Sequence, residues 1–249
     1  MLRSLLMMKA LSLILLLTFT LTSAAATPLM IRPGELLLAG EFGQESGSGA
    51  EQFKLRKETV AHVENGSLVL TPPRLVPRTN GKKTKWGDSN FARAGLVGLP
   101  ADFIGVVRWK YLKPKDPVQL AEGLVYIDLG HRMIRVTFNR EGAVLMLENH
   151  LVGRNDGKPA IVLSQDMGLK LQPDHWYDIV AEVKGDEVLI QIDNHVLYGQ
   201  HELIAAERYD TFNIDATGDG FLIDRIEVHA AGEFRADWPA QRTRLQQSP

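Results

Sequence analysis

The chain has 249 residues, 45% of them hydrophobic, and sets 28 basic against 30 acidic side chains for a net charge of -2. That length holds one large β domain or two small ones, and the near balance of charge argues against a dedicated nucleic-acid binder, which usually needs a basic face. The absence of cysteine excludes disulfides, thiolate metal sites, cysteine nucleophiles and a lipid-modified cysteine.

At the N-terminus Arg3 and Lys9 accompany an apolar run, Leu11 to Leu21, broken only by Ser and Thr, and Ala24-Ala25-Ala26 follows. This pattern predicts a signal peptide over residues 1–26, cleaved after Ala26. The run is shorter than the roughly 20 residues that span a bilayer. No later stretch has 18 consecutive apolar residues, so no membrane span is expected in the mature chain, which is read as secreted or periplasmic. Export without disulfides fits a bacterial protein whose core is large enough to need no staples.

Residues 27–35 read as a short extended segment, and Leu36-Leu37-Leu38 as a first strand. Gly43 to Gly49 reads as a flexible loop. Asn65-Gly66 is a turn dipeptide before the alternating Ser67 to Thr71, which predicts a hairpin. The segment Pro72 to Gly87 holds Arg74, Arg78, Lys82, Lys83, Lys85 and Trp86, with no acid between Glu64 and Asp88. It is either a basic lip with one aromatic, suited to an acidic or sulfated glycan, or a solvated surface loop.

Strands are expected at Phe103–Leu112, Leu124–Gly130, Met133–Phe138, Ala143–Asn149 and Ile161–Leu163, with turns at Asn139–Gly142 and Arg154–Lys158. The strongest signal is Asp174 to Gly199. There Tyr177, Ile179, Ala181 and Val183 alternate with Asp178, Glu182 and Lys184. Gly185-Asp186 turns the chain, and Val188, Ile190 and Ile192 alternate again. Trp176, which opens this hairpin, is expected in the core. Glu202 to Arg208 is the one helix candidate, and Asp210–Ala216 with Phe221–His229 is the last strand pair. Residues 232–249 lack a period and read as a mobile tail, with Trp238 its candidate for packing back. Many short strands at regular spacing predict an all-β, two-sheet antiparallel jelly-roll sandwich forming one domain over residues 36–231.

The order of several short motifs carries a resemblance. Val63-Glu64-Asn65-Gly66-Ser67-Leu68-Val69 comes first, then Asp102-Phe103 opening a strand with Arg108-Trp109-Lys110, then Gly123-Leu124-Val125. Trp176 then opens the hairpin with Gly185 at its turn, and Ile223-Asp224-Arg225-Ile226-Glu227-Val228 follows near the end. Over residues 36–231 this resembles the concanavalin A-like lectin/glucanase jelly rolls, and within them it is most similar to the bacterial secreted 3-keto-disaccharide hydrolase-like domains. The resemblance implies a carbohydrate partner. Those domains often carry a glutamate-containing strand mid-chain. Here the comparable stretch, Met133 to Thr137, has Arg135 and no acid. The Glu-x-Asp-x-x-Glu strand motif of the laminarinase-like branch is absent from the chain.

Among single residues, Asp128 lies in an otherwise apolar strand, in phase with Leu124 and Tyr126. A carboxylate there must be paired or face an open groove, so it is either a groove acid or a strand-end acid bonded to a loop. His131 and Arg132 follow it closely enough to pair with it. Glu148, Asn149 and His150 end the next hairpin, and Glu148 with His150 offers an acid and a base or a polar hairpin end. The catalytic candidates are therefore Asp128, Glu148 and His150. The substrate-binding candidates are Trp86, Trp109 and Arg135, with a core role open for Trp109.

Asp215, Asp219 and Asp224 flank a Gly-rich turn and carry oxygens of the kind Ca²⁺ takes, but their spacing matches no defined calcium loop. No cofactor is expected. The seven histidines form no HxxxH or HxH pair, so spacing supports no zinc site. Two functional classes follow: a glycoside hydrolase of the 3-keto-disaccharide type, or a non-catalytic carbohydrate-binding or cell-surface module. A purely structural envelope protein is a third.

Overall fold

The computed structural model of the chain describes residues 26–42, 53–55, 59–72, 91–112, 125–130, 134–138, 142–148, 160–206, 211–217 and 219–247. The expected leader, the Gly43–Gly49 loop, the basic loop with Trp86, and His131, Arg132, Asn149 and His150 lie outside the described residues.

Among the described residues the strands are β1 (Ile31–Glu41), β2 (Lys54–Leu55), β3 (Val60–Glu64), β4 (Ser67–Thr71), β5 (Phe91–Val97), β6 (Phe103–Tyr111), β7 (Val125–Leu129) and β8 (Ile134–Phe138). They continue as β9 (Ala143–Leu147), β10 (Ile161–Asp166), β11 (Tyr177–Lys184), β12 (Glu187–Ile192), β13 (His195–Gln200), β14 (Thr211–Thr217) and β15 (Phe221–Phe234). The helices are α1 (Glu202–Ala206) and α2 (Trp238–Gln247).

All recorded strand pairs are antiparallel. One sheet has eight strands in the order β13-β12-β11-β6-β15-β4-β3, with β1 also on β15. The other has seven, β10-β9-β8-β7-β14-β5-β2. The expected antiparallel two-sheet sandwich is therefore present. The β11–β12 hairpin keeps the register its alternation predicts, from Ile179 opposite Ile192 to Lys184 opposite Glu187.

The core lies between the sheets because each strand sends alternate side chains inward. Ile179, Ala181 and Val183 of β11, Val188 and Ile190 of β12, and Ile127, Val136, Leu145 and Ile214 of the opposite sheet join one buried cluster. Gly105 on β6 permits a close approach of the two sheets, because a Cβ there would sit 3.0 Å from the Phe212 ring. Trp109 belongs to this interior. Its side chain is fully buried with ring contacts to Tyr111 and Tyr177. As a sugar-stacking candidate it is therefore corrected: the inward phase of β6 leaves its ring no accessible face.

The outer face of the eight-stranded sheet is partly covered by the two ends of the chain. Met30, Ile31 and Trp238 pack on Ile104, Val106, Val180 and Leu189 in a second apolar cluster. Two buried carboxylates tie these ends down. Glu182 accepts the backbone N–H groups of Leu29, Met30 and Ile31 at 2.6–3.2 Å and the Gln191 amide at 3.3 Å. Glu187 accepts the Tyr198 hydroxyl, the Trp238 indole N–H and the Arg242 guanidinium at 2.8–3.0 Å. Burial pushes the Glu182 carboxyl above its ordinary value despite those donors. Burial and the Glu187 contact push the Tyr198 phenol up.

Two expectations change here, for the tail and for Trp176, and Glu182 proves to be sealed. The segment read as a mobile tail continues β15 to Phe234 and then forms α2. That helix has no apolar stripe and is held through Trp238 and Arg242 instead. Glu182, in phase with polar neighbours, is buried because chain distant in sequence folds over it. Trp176 precedes β11 in the outward phase. It is half-buried, with Lys110 Nζ 4.7 Å from its ring centroid.

The free edges of the two sheets also meet. Asp166 on β10 and His195 on β13 approach to 2.7 Å, and Gly199 makes room for the Leu163 side chain. Burial pushes the Asp166 carboxyl up, but the hydrogen bonds from His195, Gly168 and Leu169 together outweigh it and hold it below its ordinary value.

Replacing Glu182 by Ala strands three backbone donors. The expected loss is about 3 kcal/mol in urea unfolding, with faster amide exchange at residues 29–31. For Asp166, a lowered folded pKa means its contribution is full above the unfolded value near 3.8 and is lost as pH falls through the folded value. Asp166→Asn should therefore be less stable than wild type at pH 6, with the gap closing in acid unfolding near pH 2.

Candidate functional site

On the seven-stranded sheet the inward phase is apolar, and the outward phase carries charge. Strand β7 points Tyr126 and Asp128 outward, β8 points Arg135, β14 points Asn213 and Asp215, and β5 points Arg93. Glu148 follows the last residue of β9. Register fixes the pairing. Asp128 stands directly opposite Arg135, Asp215 opposite Arg93, and Asn213 opposite Asp128. Opposite charges at facing positions stabilise antiparallel pairs.

The side chains join into one row. Arg93 donates to both oxygens of Asp215 through Nε and Nη2, and its Nη2 also lies 3.6 Å from Asp128. Arg135 donates to Asp128 through Nε at 2.6 Å and Nη2 at 3.2 Å, and through Nη1 to Glu148. The Arg135 guanidinium also lies over the Tyr126 ring, 4.9 Å from its centroid. Three carboxylates and two guanidiniums thus span five strands with one excess negative charge.

Burial divides the row into a sealed and an open part. The Asp128 side chain is 0% exposed and that of Asp215 4%, whereas Arg93 is 25%, Arg135 17% and Glu148 20% exposed. Asp128 is thus a positioning group under two guanidiniums, and an arriving molecule meets Arg93, Arg135, Glu148 and Tyr126. Burial pushes the Asp215 carboxyl above its ordinary value against the opposing effect of Arg93, and the neighbouring Asp128 charge adds to the rise. The hydrogen bond to Asp215 raises the Arg93 guanidinium, and for Arg135 the carboxylate partners outweigh burial and raise it too. Both arginines stay charged. Burial also raises the Tyr126 phenol.

Gly95 shapes this face. It faces Asn213 across β5 and β14, and a Cβ there would collide with the side-chain oxygen Oδ1 of Asn213.

The structure brings Asp128, Arg135 and Glu148 together and puts Trp109 on the other side of the sandwich wall, in the core. Trp86 and His150 lie outside the described residues. Four members of the site were missed from sequence: Arg93, Tyr126, Asn213 and Asp215. Asp215, grouped with Asp219 and Asp224 around a turn, is instead a strand residue held by Arg93. Asp224 lies on the other sheet beside Arg108 at 3.4 Å. The usable signal was the in-phase requirement of Asp128 for cations, which β5 meets through Ala92, Ala94 and Leu96 inward with Arg93 outward.

Neither a protein-family model nor a curated protein sequence matches the chain. Solved structures do. An endo-acting O-glycanase of the human gut microbiota, associated with mucin breakdown, matches with a TM-score of 0.55 at 11% identity, over 80% of this chain and 100% of that one. The laminarinase from Rhodothermus marinus matches at 0.52 and 10% identity, over 80% and 98%. The VIP36 exoplasmic/lumenal domain in its Ca²⁺/mannose-bound form matches at 0.52 and 9% identity, over 81% and 94%. The fold is the concanavalin A-like jelly roll. At such identities the likeness establishes the fold and leaves the chemistry of this jelly roll to its own residues.

If the row is one electrostatic unit, removing Arg135 leaves the buried Asp128 charge with only Arg93 at a longer distance. Arg135→Ala should cost about 3 kcal/mol, and Asp128→Asn in the same chain should recover part of it. A double-mutant cycle in chemical denaturation checks this coupling.

Proposed function

We propose that this jelly roll engages carbohydrate on the outer face of its seven-stranded sheet. One observation carries the reading: a charged row of Arg93, Arg135 and Glu148 beside the Tyr126 ring, braced from beneath by the sealed Asp128 and Asp215. Sugars present vicinal hydroxyls to planar guanidinium and carboxylate groups and an apolar face to aromatic rings. Because the brace fixes the donors before a ligand arrives, little ordering is left for binding to cost. The structural neighbours, which include glucanases and a mannose-bound domain, support the same reading by analogy of fold.

A second reading makes the same face catalytic toward 3-keto-glycosides. It is favoured by the geometry of the row: Asp128 and Asp215 are sealed against guanidiniums, while Glu148 beside them keeps 20% of its side chain exposed. A ketone at C3 acidifies the C2–H, so one positioned carboxylate can take that proton as the C1–O bond breaks and return it to the departing glycosidic oxygen, and addition of water to the resulting enone completes hydrolysis. Glu148 is the network carboxylate open enough to serve. The apolar run Leu11–Leu21 supports action after export, in a secreted or periplasmic setting. Among the described residues no helix is long and apolar enough to cross a membrane.

Calorimetric titration with a panel of neutral, anionic and 3-keto oligosaccharides tests both readings. Binding by at least one sugar is expected, weakened about tenfold or more in Glu148→Gln and in Tyr126→Ala, the size of one lost charge-assisted hydrogen bond or one lost platform. Release of product from a 3-keto-glycoside that stops in Glu148→Gln selects the catalytic reading. A folded protein that binds no sugar in the panel overturns the proposal.

A further inference from the structure

Where the free edges of the two sheets meet, β10 and β13 form the walls of an open groove of about 800 Å³, and the end of α2 forms its rim. Its lining residues are different from those of the charged row, although β10 neighbours β9, whose end leads to Glu148. Its described lining mixes uncharged polar side chains with aliphatic ones. Ser164 and Gln165 come from β10, Gln200 from β13, His201 from the residue after it, and Gln246 from α2, while Leu163 and Leu245 supply apolar surface. Among the described residues no Asp, Glu, Lys or Arg lines it.

Several of these groups are set in place. Gln200 donates to Asp186 at 3.1 Å and accepts from Gln246 at 3.3 Å, so the two amides are locked against each other across the rim. His201 accepts the Leu203 N–H at Nδ1, 3.1 Å away, which puts the ring proton on Nε2 in the neutral ring. Among the described residues Ser164 and Gln165 make no side-chain hydrogen bond, so their hydroxyl and amide remain available.

Two strand edges also suit an added peptide strand. The β10 edge is irregular, however, because its register against β9 shifts between Val162 and Ser164. An extended peptide needs an unbroken row of backbone partners, and a bulge removes it.

We infer that this groove is a second binding site, for an uncharged polyhydroxy ligand, namely a segment of a neutral oligosaccharide. The held amides of Gln200 and Gln246 and the available Ser164 hydroxyl and Gln165 amide match vicinal hydroxyls, the leucines match the C–H faces of a pyranose ring, and the volume is that of a small-ligand cleft. Among the described lining residues an anionic sugar finds no cation. The inference rests on the carbohydrate reading of the protein but on different residues. A glycan chain held at both places would bind with an effective-concentration gain over either alone.

Two-dimensional amide NMR of the protein titrated with laminarihexaose, and separately with maltohexaose, tests it. Shift changes are expected at Val162–Gln165, Gln200 and Gln246. In the double variant Gln165→Ala/Gln246→Ala, both changes being at exposed positions, groove binding should weaken at least tenfold while shifts at β7 and β8 persist. Ser164→Trp, which fills the groove, should abolish it. Shifts confined to β7 and β8 overturn the groove and leave the proposed function standing. Shifts confined to the groove support it and contradict the sheet-face reading. No shift at either place with either sugar, or binding of a strand-forming peptide at β10 in place of sugar, overturns the inference.

Discussion

A carboxylate removed from water must be answered by donors, and this sandwich meets that demand on both of its outer faces in different ways. On the eight-stranded sheet the answers come from the ends of the chain. Glu182 takes three consecutive backbone N–H groups near the start, and Glu187 takes an indole N–H, a phenol and a guanidinium. The covered part of that face is taken up with holding the fold together. On the seven-stranded sheet the answers are arginines, which keep their own charge and part of their exposure. One face is partly closed through its carboxylates, and the other is primed by them.

This contrast gives the charged row a reason beyond stability. Buried ion pairs gain little over well-packed apolar side chains, since desolvation offsets the attraction. A row that spans five strands and leaves two guanidiniums, one carboxylate and one phenol ring at the surface is costly to build for stability alone. It is well suited to holding donors still while a polar ligand exchanges its water for them. The sealed acids position, and the open groups meet the ligand. The same division explains how the jelly roll can keep an acid-rich sheet face without the Glu-x-Asp-x-x-Glu strand of the laminarinase-like branch.

Alternation made the sheets legible. The β11–β12 hairpin, the β8–β9 pair and the turn at Asn65-Gly66 all follow from period-two patterns beside turn residues, and the structure keeps them. What escaped was structure decided at long range. β1 runs 11 residues along β15 with three register irregularities, so no period betrays it beyond Leu36–Leu38. α2 has no apolar stripe and depends on a carboxylate 51 residues earlier for its Trp238 contact. Asp128 announced a need for partners, but Arg93 and Asp215 lie 35 and 87 positions away in number, on strands that only the sheet order makes neighbours. Trp109 was ambiguous because a strand aromatic reads alike from either face until its phase relative to the core is known.

The most direct measurement is a crystal structure of the protein with the tightest-binding sugar from the titration panel. The account predicts the sugar on the outer face of the seven-stranded sheet, hydrogen-bonded to Arg135 and Glu148, with a ring face against Tyr126 and Asp128 still sealed beneath. A sugar bound elsewhere, with those three side chains still facing solvent, would contradict it.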